Sequence, residues 1–186
     1  MSKNVTETSA GKPFLERQAL QKLISWKKAP RRNALCVVGA RQIGKTMLIR
    51  HFARQHYEHF VEINFATEPL AKAVFSGSLN AEAVITALSA YARRPLVPGE
   101  TLIFLDEIQE CPQARADIKF LVADGRFDYI ESGFLLGAET KNGPSLPVGY
   151  ETRLTMYPLD FAEFCTACGL QSVTFEYLKT CFETLQ

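Results

Sequence analysis

Leu35-Cys-Val-Val-Gly39-Ala-Arg-Gln-Ile-Gly44-Lys45-Thr46 decides the fold. An apolar run, Leu35 to Val38, leads into the pattern GxxxxGKT, and a helical pattern, Met47 to Ala53, follows directly. Buried strand, glycine-bounded loop, then helix is the context that a phosphate-binding loop requires. Gly39 and Gly44 let the backbone curl so that successive N–H groups converge on phosphate oxygens. Ala40, Arg41, Gln42 and Ile43 fill the loop between them. The helix that follows adds its positive N-terminal end. Lys45 is expected to reach the β- and γ-phosphates, and the Thr46 hydroxyl to hold Mg²⁺.

A second motif lies far downstream. Leu102-Ile-Phe-Leu105-Asp106-Glu107 places two carboxylates at the C-terminal end of a buried-strand pattern. In an open parallel sheet, ligands sit at the carboxyl ends of the strands. The loop carrying Lys45 leaves its strand on that same edge, so the two motifs are expected to meet in space. Asp106 is then the group that holds Mg²⁺, through its waters or through Thr46. Glu107 is expected to accept a hydrogen bond from a water and line it up against the γ-phosphorus. Ser132, at the end of the strand pattern Tyr129 to Ser132, is a candidate sensor of the γ-phosphate. Arg41 is a candidate phosphate or partner contact, and Arg126 and Arg153 are candidates for a finger acting in trans.

The rest of the chain fits one α/β domain. It has 186 residues, of which 47 % are hydrophobic and 22 % charged, enough for a good core. Net charge is +1, so no global field selects nucleic acid or anionic lipid. The basic run Lys27, Lys28, Arg31, Arg32 lacks interleaved aromatics and reads as a solvated helix end. No apolar segment approaches membrane-span length, and residues 1–13 read as a polar, flexible tail without a signal-peptide core. A cytoplasmic location follows as the expectation. The five cysteines have no framework spacing, and Cys165 and Cys168 lack a second pair for zinc, so reduced packing roles are expected. His51, His56 and His59 lie close together but without ligand-spaced partners.

Apolar spacing predicts helices over 14–28, 70–75, 81–92 and 114–122, the third N-capped by Asn80. Strands are predicted at 35–38, 61–65, 101–105, 129–132 and 153–157, with a turn at Asn142-Gly143-Pro144. Asp160 and Glu163 form a capping pair for a further helix through Cys168, with Gly169 as its C-cap. This alternation argues for a doubly wound parallel sheet with helices on both faces.

The strings GARQIGKT, TLIFLDEIQECPQA, IESGFLLG, SLPVG and LTMYPLDFAEF occur here in the order they take in a large group of prokaryotic AAA-type ATP-binding proteins. The chain resembles that group from about Phe14 to Gly169, including the leading segment ALQKLISWKKAPRRNALCVVGARQIGKT. The resemblance implies a P-loop NTPase sheet in the order 5-1-4-3-2 and nucleotide binding at Gly39 to Thr46. It further implies Mg²⁺ and water handling at Asp106 and Glu107, and a sensor near Ser132. Family members usually carry serine where Phe134 stands, which predicts slow hydrolysis if that serine is the sensor. Members normally continue into a helical lid and a C-terminal domain, so residues 171–186 are expected to begin a truncated lid or C-terminal region.

Two functions from different classes follow. One is Mg²⁺-dependent hydrolysis of ATP coupled to conformational change. The other is a nucleotide-gated interaction module that binds ATP and turns over rarely, signalling to a protein or nucleic-acid client whose identity the sequence leaves open. A small phosphotransferase fits the length but not the acidic and PL-x-F-x-EF motifs. Adenine over guanine rests on the resemblance, and homo-oligomerisation stays open.

Overall fold

A computed structural model describes residues 14–30, 32–77, 80–134 and 149–184. Its centre is a five-stranded, all-parallel sheet. The strands are β1 (Ala34–Val38), β2 (His59–Asn64), β3 (Thr101–Asp106), β4 (Asp128–Gly133) and β5 (Glu151–Thr155). They lie in the order β2-β3-β4-β1-β5, the expected order read from the other edge. The α-helices are α1 (Gln18–Lys27), α2 (Lys45–His56), α3 (Ala81–Ala92), α4 (Pro112–Asp124), α5 (Phe161–Ala167) and α6 (Ser172–Thr184).

Every residue of β1, β3 and β4 is buried, which explains the continuous apolar runs of β1 and β3: a central parallel strand has helices on both sides. Alternate residues feed two cores. Ile103, Leu105 and Tyr129 pack with Val84 and Leu88 of α3 and Ile118 and Leu121 of α4. Leu102, Phe104, Ile130 and Val37 pack with Leu23 and Trp26 of α1 and Leu48, Ile49 and Phe52 of α2. Right-handed crossovers require this split. The step from β1 out to β2 runs one way along the sheet, and the steps β2-β3-β4 run back, so α2 lies on one face and α3 and α4 on the other. All five carboxyl ends therefore share one edge.

Several boundaries differ from the sequence expectation. Helix α1 begins at Gln18, because Arg17 before it is extended, and Phe14 buries its ring flat against His51, centroids 3.6 Å apart. The short helix near 70–75 is a 3₁₀ segment, Pro69–Phe75. The last strand is Glu151–Thr155, two residues earlier than expected, because its register is set by β1, Ala34↔Glu151 through Val38↔Thr155. The Asn80 side chain does cap α3, accepting from the Glu82 N–H at 3.0 Å. Asp160 and Glu163 form a complete capping box on α5, with Gly169 left-handed just beyond its end.

The basic run is not simply solvated. Lys27 donates to the His56 carbonyl and sits 3.5 Å from the Tyr57 ring centroid, and Arg32 pairs with Asp128 at 2.6 Å. The end of α2 and the start of β4 supply acceptors that local composition does not reveal. Arg31, the 1–13 tail and the Asn142-Gly143-Pro144 turn lie outside the described residues. Among the described residues, no helix is long and apolar enough to cross a membrane.

Candidate nucleotide site

The loop after β1 takes the curled form its glycines allow. Gln42 (φ 64°) and Gly44 (φ 93°) are both left-handed, and Gly44 is the N-cap of α2. Gly39 is needed for a different reason. A Cβ there would lie 2.3 Å from the Met156 carbonyl oxygen and 2.7 Å from Ile43 Cδ1. The first of these is backbone of the strand extension beside β1, which cannot move away. Gly39→Ala is expected to cost about 1–3 kcal/mol, read as a lower melting temperature. An unchanged melting temperature would mean that the loop and residue 156 separate freely.

Lys45 stands at the start of α2 and is buried, and its Nζ donates to the carbonyls of Gly39 (3.0 Å) and Ala40 (2.7 Å). Desolvation pulls its pKa below the ordinary lysine value, while the charges of Glu107 and Asp106 push it back up. Thr46, one residue on, donates to Asp106 Oδ2 at 2.9 Å. The loop and the acidic motif therefore meet on one edge.

Asp106 is the hub. It is buried and accepts from Thr46, from Asn64 Nδ2 at 3.0 Å, from the Glu107 N–H at 3.1 Å and from the Ser132 hydroxyl. Ser132 is fully buried, and its hydroxyl is committed to Asp106 in this structure. Glu107 is left-handed (φ 53°), a strained state for a residue with a side chain, and its carboxylate accepts from the Gln109 amide. Ala40, Arg41 and Gln42 are exposed on the loop, Ile43 is half-buried, and Arg41 lies 5.4 Å from the Phe134 ring centroid. Arg126 is tied to Asp124 and Glu82, and Arg153 is an exposed residue of β5.

On the outer side of the loop opens a cleft of about 580 Å³. Phe14, Leu15, Ile43, Met47, Leu48 and Leu159 form its apolar lining. It touches Gly44, so it adjoins the phosphate loop directly.

A family model described as an AAA domain matches residues 31–165, most of the chain. The chain belongs to the AAA domain family. No curated protein matched it significantly. The AAA domain match spans the loop, the acidic motif and Ser132, and it makes nucleotide binding the class to which this site belongs.

Three groups of this AAA domain were not singled out from the sequence. Asn64 ends β2 on the same edge as Asp106, and the rule that parallel strands present ligand groups at their carboxyl ends would have found it. Gln109 is legible only as the fourth residue of DEIQ. Arg17 had no signal, since its contacts at Ile43, Tyr157 and Glu163 are distant in sequence. Among the described residues, no cluster of three or more His, Cys, Asp or Glu side chains is arranged to hold a metal.

Proposed function

We propose that this chain binds ATP with Mg²⁺ and hydrolyses it to ADP and phosphate. The observation that carries the reading is the 2.9 Å hydrogen bond from Thr46 to Asp106, which joins the two motifs into one site. Hydroxyl and carboxylate are hard oxygen donors, the kind Mg²⁺ prefers, and they stand side by side at the head of the loop. Thr46 and Asp106 would hold Mg²⁺, which when bound neutralises charge on the β- and γ-phosphate oxygens.

The protein's own groups have separate tasks. Amides from Gly39 to Thr46 and the Lys45 ammonium grip the phosphates. Asn64 and Ser132 hold the Asp106 carboxylate in one orientation, so its oxygens need no reorganisation when charge arrives. Glu107 orients the attacking water. The apolar cleft beside Gly44 is the natural seat for the base, because a flat heteroaromatic ring gains from the apolar lining.

Phosphate release tests the metal requirement. Turnover is expected to fall to background in excess chelator and to return when Mg²⁺ is restored. An equal rate with and without the metal would refute the role given to Thr46 and Asp106.

A second reading, a nucleotide-gated interaction module, draws support from two contacts. Gln109 engages the Glu107 carboxylate, and Phe134 stands beside Arg41 where the resembling proteins have serine. Tight ATP binding with negligible phosphate release would favour this module over the hydrolase.

A further inference from the structure

The motif PL-x-F-x-EF is the part of the sequence that nucleotide chemistry leaves without a task. One of its carboxylates, Glu163, meets an arginine from the start of α1. Arg17, the N-cap residue of α1, donates from one guanidinium nitrogen to the Ile43 carbonyl at 2.9 Å and from the other to the Tyr157 carbonyl at 2.6 Å. Its Nε lies 3.2 Å from Glu163 Oε2, a close ion pair in which both side chains are only 9 % exposed. Gln18 reinforces the junction: its N–H donates to Glu163 Oε1 at 2.8 Å and its side-chain amide to Asp160 Oδ2 at 2.6 Å. Glu163 and Asp160 are in turn fixed by the α5 capping box.

The contact with Ile43 has a direct consequence for the loop. A trans peptide is planar, and its C=O and N–H point in opposite directions. Anchoring the Ile43 oxygen on the outer side therefore turns the Gly44 N–H toward the inner side, where phosphate is expected. Gly44 is left-handed and has no side chain to hold that plane by itself. A charged, largely desolvated donor is the strongest restraint available for it.

We propose that Arg17 is a positioning residue for the phosphate loop: it fixes the Ile43–Gly44 peptide and is itself held by Glu163 of the PL-x-F-x-EF element. The geometry of α5 thereby sets nucleotide affinity. This builds on the proposed nucleotide site and extends it to two elements that touch no reacting atom.

The test pairs two readouts. In titration calorimetry with MgATP, Arg17→Ala weakens binding by about tenfold or more, the loss expected for charge-assisted hydrogen bonds. In steady-state kinetics KM rises while kcat is kept. Arg17→Lys, which can still reach one carbonyl, recovers part of the affinity. Glu163→Gln weakens binding in wild-type background but adds little to Arg17→Ala. Arg32→Gln, which breaks an ion pair at the opposite edge of the sheet from the loop, leaves affinity unchanged.

Hydrogen–deuterium exchange of the peptide covering residues 39–48, measured without nucleotide, rises in Arg17→Ala and less in Arg17→Lys. Wild-type affinity and wild-type loop exchange in a folded Arg17→Ala protein would overturn the proposal. Failure of the wild-type chain to bind MgATP would instead sink the nucleotide reading, and the exchange comparison would still decide the role of Arg17. Should Arg17→Ala not fold, Arg17→Lys and Glu163→Gln carry the same comparison.

Discussion

Replacing Lys45 by alanine is expected to weaken MgATP binding by about a hundredfold in titration calorimetry. The ammonium group lies inside the loop and donates to two carbonyls of that loop, Gly39 and Ala40. Those acceptors are neutral, whereas phosphate oxygens are charged and accept more strongly. Binding therefore exchanges weak partners for strong ones, and alanine removes the exchange entirely. Burial already pulls the Lys45 pKa down, with Glu107 and Asp106 opposing it. Because the free protein's lysine loses its proton below the ordinary lysine range, ATP affinity should begin to fall at a correspondingly lower pH. Stability should change little, since the variant loses two hydrogen bonds but also a partly desolvated charge. A folded Lys45→Ala protein with unaltered affinity would show that the phosphates are gripped elsewhere.

Glu107→Gln is expected to leave ATP affinity near that of the wild type and to lower turnover by about 10²–10⁴-fold. The substitution keeps shape and size but removes the charged acceptor that would line up water. The left-handed backbone at Glu107 is unchanged by it, since glutamine faces the same cost there as glutamate. Phosphate release under saturating MgATP is the measurement. Unchanged turnover would strip Glu107 of its role, and a wild-type rate already at the variant's level would speak for the gated module. In the free protein the Gln109 amide already occupies one oxygen of the Glu107 carboxylate.

Much of this molecule was written locally in the chain. The apolar runs at 35–38 and 102–105 point to β1 and β3 as central strands, because a parallel strand covered on both faces buries every side chain. The GxxxxGKT spacing located the loop, and Asp160 and Glu163 announced the start of α5, because capping depends on residues three apart. The parallel-strand rule also brings Lys45, Thr46, Asp106 and Glu107 to one edge from the sequence alone. Tertiary structure alone decided the rest. Where β5 begins depends on the length of β1 beside it, so the local pattern at 153–157 pointed two residues too late. Whether Lys27 and Arg32 meet solvent or partners depends on His56 and Asp128, which other elements bring to them. That Ser132 donates to Asp106 and that Arg17 donates to the Ile43 carbonyl are contacts between residues far apart in the chain. Such contacts leave no periodic trace, because side-chain spacing encodes only which face a residue takes and not which neighbour the folded chain presents to it.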